Sequence, residues 1–148
     1  MDLIVRYATE ELPDILCLQE TKTQDVTFPY DALRACGFEH TFHVGQRSYN
    51  GVAILSKLPL SSLECRDVVG DGSCRHISAM VADRFALHNV YIPAGGDIPD
   101  TTLNPKFKDK LACVDALAAW SALVKDTPTV VLGDFNIAPQ EHDVWSHK

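Results

Sequence analysis

Glu20, Tyr91, Asp134 and Asn136 each end or follow an apolar run: Ile-Leu-Cys-Leu before Gln19-Glu20, Ala-Leu-His-Asn-Val-Tyr-Ile around Tyr91, and Val-Val-Leu before Gly133-Asp134-Phe135-Asn136. In α/β sheets the carboxyl ends of strands are where loops diverge and ligand sites form. Glu20 and Asp134 are hard carboxylate donors, and Asn136 adds a carbonyl oxygen and an amide donor. With no Cys/His cluster to favour a softer ion, a metal held by Glu20, Asp134 and Asn136 is expected to be Mg²⁺ or Mn²⁺ rather than Zn²⁺. Because Mg²⁺ takes only one or two carboxylates beside substrate phosphate, Glu20 alone serves as the main ligand. Asp134 is then free to accept a proton from an attacking water, Asn136 to orient that carboxylate and donate to a phosphate oxygen, and Tyr91 to donate to the same phosphate. These parts fit phosphoester hydrolysis. Taken singly, a strand-end Glu is usually solvated, an Asp after a strand usually caps a turn and a strand Tyr usually packs, so the reading rests on the combination.

Phosphate recognition requires local cations, because 13 Lys and Arg against 20 Asp and Glu leave a net charge of -7 and no bulk attraction to nucleic acid. Candidate substrate-binding residues are Lys22, Arg47, Asn50, Arg75 and Lys106, all on expected loops or at a helix start. Lys106 follows Asn104-Pro105, a cap and first-turn pair, and helix N-termini favour anions. Lys108 and Lys110 fit a phosphate-binding face and a merely solvated one equally well; Tyr49 fits stacking on a sugar-phosphate backbone or packing.

Several elements must position these groups. Leu3, Ile4, Tyr7, Ala8 and Leu12 recur at helical spacing behind Asp2 as N-cap, ending at Pro13. Residues 14–18 read as a strand buried on both faces. Residues 30–36 read as a brief helix stopped at Gly37, Phe38 to Val44 as a strand, and Val52 to Leu55 as another after Asn50-Gly51. Ile77 to Ala82 and Phe85 to Ile92 flank Asp83-Arg84, which predicts a hairpin with a two-residue turn. The longest helix runs from Asn104 to Lys125, with Phe107, Leu111, Val114, Leu117, Ala118 and Val124 on its inner face, and Thr129 to Leu132 form a last buried strand. Strands alternating with helices and hairpins, without repeats or linkers, indicate one α/β domain or one part of such a domain.

Length and composition agree with that domain. The 148 residues are 46% hydrophobic and 22% charged, ordinary globular values. No apolar run is long enough to span a membrane, and charges interrupt the N-terminal segment where a signal peptide would be apolar. Five scattered cysteines, without metal-finger spacing, predict a reduced cytoplasmic protein in which Cys17 and Cys113 are small buried hydrophobes.

The segments LQETK, YNGVAILSK, NVYIP and GDFNIAP, in this order, resemble the exonuclease III branch of the endonuclease/exonuclease/phosphatase superfamily, which includes apurinic/apyrimidinic endonucleases. The resemblance covers nearly the whole chain. It implies part of a four-layer α/β sandwich, with two mixed β-sheets flanked by helices. It also implies a metal-binding role for Glu20, a phosphate contact for Tyr91, and water activation with substrate and transition-state contacts for Asp134 and Asn136. The implied activity is metal-dependent hydrolysis of phosphodiesters at abasic sites and 3′ ends of double-stranded DNA, by a protein that is a monomer when complete. The pattern departs from the family at both ends. A first strand bearing a metal-site asparagine is expected before Met1-Asp2, and a second half with a terminal Asp-His pair beyond Trp145-Ser146-His147-Lys148, so residues 1–148 are expected to be one domain truncated at both ends. His142 and His147, in a short polar loop, are not expected to replace the lost histidine. The alternatives are an inactive fragment of such an enzyme, and a phosphoesterase of the same superfamily acting on phosphoinositides or sphingomyelin.

Overall fold

The computed structural model describes residues 1–144 apart from Val69, Asp71, Leu123 and Lys125; His147 and Lys125 therefore lie outside the described residues, but the long helix already ends at Ser121, capped by Ala122, short of the expected end at Lys125. The chain runs α1 (Asp2–Glu11), β1 (Ile15–Gln19), α2 (Tyr30–Arg34), β2 (His40–Val44), β3 (Val52–Ser56), β4 (Leu60–Cys65), β5 (His76–Val81), β6 (Phe85–Tyr91), α3 (Pro105–Ser121) and β7 (Thr129–Asp134), with 3₁₀ turns at Asp25–Thr27 and Glu141–Asp143. His142 sits in the second turn, which is exposed.

Among the described residues the strands form two sheets, ordered β1-β3-β2 and β4-β5-β6-β7. The first is antiparallel throughout; the second is mixed, because β7 alone runs parallel to its neighbour β6. One sheet of the pair is thus mixed, where both were expected to be. Period-two alternation along each strand divides the core into two layers. Val52 and Ile54 of β3 join Ile77, Ala79, Val81 and Leu87 between the sheets. Ala53 and Leu55, one residue out of phase, pack with Ala8, Leu33 and Phe38 under α1 and α2. Each such aliphatic side chain taken from water contributes about 1.5–3 kcal/mol. On the far side of the second sheet, Trp120 of α3 lies 4.2 Å, centroid to centroid, from the His88 ring. Helices, sheet, sheet and helix make the four layers.

Several expectations are corrected. Asp2 is the first residue of α1 rather than its cap; Met1 takes the cap position without a side-chain bond. β1 is only half-buried, because among the described residues it pairs with β3 alone and lies at the sheet edge. β4 was not anticipated: Leu-Ser-Ser-Leu-Glu-Cys lacks strict alternation, and this exposed edge strand carries a register shift between Ser61 and Glu64. The β5–β6 turn has three residues, Ala82 to Arg84, since Val81 pairs with Phe85; Ala82 and Asp83 both take positive φ. The inner face of α3 is rotated from the expected one. Phe107, Lys110, Cys113, Val114, Leu117 and Trp120 are buried or half-buried, whereas Leu111 and Ala118 are exposed, because Trp120 is drawn onto the His76–His88 pair. Finally, β7 is not buried: Val130 and Val131 are 43% and 36% exposed, as a strand paired with β6 alone among the described residues allows.

Candidate active site

The carboxyl end of β1 leads into a sharply turned loop. Glu20 and Lys22 both adopt left-handed φ, +53° and +51°, a region costly for residues with side chains unless surrounding contacts enforce it. The enforcing contacts come from the β2–β3 connection: Thr21 N–H donates to Gly51 O (3.2 Å) and Lys22 N–H to Asn50 O (2.9 Å). Gly51, at φ +92°, has to be glycine, because a Cβ there collides with the Thr21 hydroxyl. Asn50 and Ser48 also take positive φ. The turn aims the Glu20 carboxylate across the end of the other sheet. The Tyr91 hydroxyl donates to Glu20 Oε1, and Lys22 Nζ lies 2.9 Å from Oε2.

What holds the two strand ends in this relation is Asn89, fully buried between the sheets. Its Nδ2 donates to Leu18 O (3.0 Å) and Ala53 O (2.8 Å), and its Oδ1 accepts from Gln19 Nε2 at 2.6 Å. Residues 89 and 91 share one face of β6, so Asn89 fixes the distance between β1 and β6 next to the Glu20–Tyr91 contact. Sequence reasoning passed over it. The available signal was an amide in the middle of an apolar strand, which a fold tolerates only when it is bonded.

Glu20 and Tyr91 open onto a cleft of about 520 Å³ whose walls also include Lys22, Ser48, Tyr49, Asn50, Arg75, Lys106 and Asp109. Three cations face two carboxylates there, so the cleft is locally positive in an acidic chain. The Arg75 guanidinium lies 4.8 Å over the Tyr91 ring, and its Nε and Nη1 are buried without a hydrogen-bond partner among the described residues. Such donors carry a desolvation cost. The hydrogen bonds from Tyr91 and Lys22 hold Glu20 below the ordinary carboxylate value. Burial, and then the hydrogen bond to Glu20, raise the Tyr91 phenol. At neutral pH one is therefore an anion and the other a proton donor. Asp109, on the first turns of α3, went unnoticed in the sequence because it sits within Lys-Phe-Lys-Asp-Lys, a run that reads as a mixed charged face.

The Asp134–Asn136 turn lies beside this cleft rather than in its wall. Tyr91 and Asp134 are register partners on parallel strands, so their side chains leave the same face of the sheet. Asp134 Oδ1 accepts from the Asn136 N–H (2.9 Å) and Oδ2 from Asn136 Nδ2 (3.3 Å), while Nδ2 also donates to Ile92 O at 2.8 Å. Asn136 orients the carboxylate as expected, but both its amide protons are engaged, which leaves none for a phosphate. Gly133, at φ +138°, makes the turn possible, since a Cβ there strikes the backbone of Val90. Lys110, a candidate phosphate contact, instead donates to Asn136 O (2.5 Å) and Ala94 O (3.2 Å), tying α3 to both strand-end loops. Of the expected substrate residues, Lys22, Asn50, Arg75 and Lys106 meet in the cleft; Arg47 is exposed and outside it. Cys113 is buried and Cys17 half-buried, and burial pushes the Cys17 thiol up to about 12.

The donor set suits a hard divalent cation. Glu20, Asp109 and Asn50 supply oxygens, no imidazole or thiol among the described residues lines the cleft, and the Lys22 ammonium beside Oε2 takes a position fit for a positive charge. No three His, Cys, Asp or Glu side chains converge among the described residues.

Two sheets packed face to face, with a carboxylate, a phenol and cations gathered at one end, make an α/β sandwich with a charged cleft at that end. The model of the Endonuclease/Exonuclease/phosphatase family matches residues 1–148, and the chain belongs to that family. It is 31% identical over 137 residues to exodeoxyribonuclease III of Haemophilus influenzae, covering 89% of this chain and 51% of that protein. Among solved structures it is similar to an AP endonuclease from Archaeoglobus fulgidus, with TM-score 0.86 and 30% identity over 98% of this chain and 55% of that one. It is also similar to a 3′ phosphatase from Neisseria bound to a product DNA hairpin, with TM-score 0.84 and 33% identity over 98% of this chain and 56% of that one. The chain thus spans about half the length of these relatives. Among the described residues no helix is long and apolar enough to cross a membrane.

Proposed function

We propose that this cleft binds and hydrolyses phosphodiesters of double-stranded DNA at abasic sites and 3′ ends, with Mg²⁺ or Mn²⁺ held by Glu20. The observation that carries this reading is the Glu20–Tyr91 contact with Lys22, Arg75 and Lys106 around it: an anion site and a cation site share one cleft. Arg75, in the cleft wall with its guanidinium over the Tyr91 ring, and Lys106, beside the capped N-terminus of α3, receive non-bridging phosphate oxygens. Tyr91, kept protonated, donates to the same phosphate when its bond to Glu20 is exchanged for one to substrate. Asp134, held in orientation by Asn136, accepts the proton of the attacking water. When bound, the divalent ion supplies Lewis-acid stabilisation of charge developing on phosphate.

Nicking of a duplex containing one abasic site, by the purified 148-residue chain in Mg²⁺ with and without EDTA, tests the proposal. The expected result is cleavage that EDTA abolishes and that Glu20→Gln lowers with a raised Mg²⁺ requirement. A flat time course with intact DNA binding would overturn the catalytic reading in favour of a binding segment. Hydrolysis of a phosphoinositide or sphingomyelin in place of DNA would overturn the substrate.

A further inference from the structure

Behind the Glu20 turn lies a second set of polar side chains that the chemistry above does not use. Thr21 Oγ1 is 2.9 Å from His43 Nε2, and His43 Nδ1 is 2.9 Å from Asp25 Oδ1. The imidazole side chain is fully buried and stacked on Phe28, with centroids 3.8 Å apart and planes 17° apart. Asp25 Oδ1 also accepts from the Gly45 N–H at 3.0 Å. Two glycines leave room for the set. A Cβ on Gly45 runs into the His43 ring and Thr23 O, and a Cβ on Gly51 runs into the Thr21 hydroxyl. The arrangement resembles a nucleophilic triad in composition, but an imidazole without solvent access cannot pass a proton to and from a substrate.

We propose that His43 is a positioning residue that, through Thr21, holds the adjacent Glu20 carboxylate in its left-handed, metal-competent orientation. This rests on the assignment of Glu20 as metal ligand. The physical argument is that Glu20 at φ +53° is strained by itself and needs its neighbours over-determined. Thr21 is fixed at three points: its N–H on Gly51 O, its carbonyl accepting from the Thr23 hydroxyl at 2.8 Å, and its own hydroxyl on His43. Burial lowers the His43 pKa more than Asp25 raises it, so the ring is neutral at physiological pH. With Asp25 beside Nδ1, the ring proton belongs on that nitrogen, and Nε2 accepts from the Thr21 hydroxyl. The Nδ1–Asp25 approach is close but too poorly aligned to satisfy Nδ1 as a hydrogen bond. The Thr21 bond is thus the stronger link, and Asp25 acts mainly by setting the tautomer.

Binding of Mn²⁺ alone, followed calorimetrically with folding checked by circular dichroism, tests this without turnover. His43→Phe keeps a flat ring on Phe28 but removes both nitrogens, Thr21→Val removes only the hydroxyl, and Thr21→Ser restores it. Loss of an outer-shell partner weakens metal affinity about 10- to 100-fold in known sites. We expect a shift of at least about 10-fold for Thr21→Val and His43→Phe, and about twofold or less for Thr21→Ser. If His43→Phe does not fold, the Thr21 pair decides by itself. Thr21→Val binding Mn²⁺ as the parent does, while Glu20→Gln abolishes binding, overturns the positioning role and leaves the metal site standing. Thr21→Ser as weak as Thr21→Val overturns it as well, since the hydroxyl is then not what matters. A parent chain that binds no Mn²⁺, or a Glu20→Gln variant that binds as well as the parent, removes the metal assignment and the inference together.

Discussion

The two sheets end in carboxylates that are held in different ways. At the three-stranded sheet, Glu20 emerges from an edge strand, yet its turn is bonded to the β2–β3 connection, to His43 and to Tyr91 of the opposite sheet. At the four-stranded sheet, Asp134 ends an edge strand whose Val130 and Val131 are exposed, and it is oriented mainly by Asn136, two residues along the same turn. Long-range partners fix one carboxylate; local partners fix the other. The difference suits the roles proposed for them, Glu20 as a metal ligand that must stay in place when its cation is absent and Asp134 as a proton acceptor that must stay reachable by water.

The largest expected effect falls on the locally held carboxylate. Asp134→Asn keeps the shape of the turn and removes the proton acceptor, so turnover on an abasic duplex should fall about 10²-fold or more with little change in DNA affinity. A variant with altered affinity and normal turnover would move Asp134 from catalysis to binding.

Acid should distinguish the sheets next. His76 and His88 of the four-stranded sheet are buried, and their ring nitrogens lie 3.0 Å apart. Burial lowers both to about 4 from the ordinary 6.5, helped for His76 by His88 and for His88 by Arg66. The unfolded chain therefore takes up protons first as pH falls. The stability from keeping both rings neutral is present above about pH 6.5 and lost toward pH 4, with a slope approaching about 2.7 kcal/mol per pH unit where both titrate only when unfolded. Urea unfolding at pH 7 and pH 5 measures it; equal stabilities at the two pH values contradict the assignment.

Asn89 joins the regions being compared. Asn89→Ala removes the bonds to Leu18 O, Ala53 O and Gln19 Nε2 and should cost about 2–3 kcal/mol in urea unfolding. Mn²⁺ affinity should fall with it as the sheets lose their register. A loss of stability with unchanged Mn²⁺ affinity would show that the Glu20 turn is held by its own sheet alone. The smallest effect belongs to Lys22→Ala. Its partner Glu20 is 46% exposed and Lys22 itself 56%, so the pair contributes below about 1 kcal/mol to folding. Mn²⁺ affinity should hold or improve slightly once the competing ammonium is gone, and a marked loss would mean that Lys22 supports Glu20 rather than competing for it.

Much of the fold was legible because it rests on local pattern: the β3 run, the β5–β6 hairpin and the Asn104-Pro105 start of α3 are found where spacing and capping placed them. Where the pattern misled, the cause was a partner distant in sequence. The α3 face turned toward Trp120 because two histidines on β5 and β6 wait there, and β1 and β7 are half-exposed because their places at sheet edges are set by pairing order. The short motifs at strand ends were enough to fix the residue types of the site and the class of chemistry, since a carboxylate, a phenol and a Gly-Asp-x-Asn turn keep their chemical character wherever the chain carries them. Only the tertiary structure decided which of them meet. Glu20 and Tyr91 are 71 residues apart and touch, Arg75 enters the cleft and Arg47 does not, and Lys110 is committed to Asn136 and Ala94. Contacts of that kind depend on sheet order and on buried cross-links such as Asn89. Their partners lie tens of residues away, so no local spacing in the sequence encodes them.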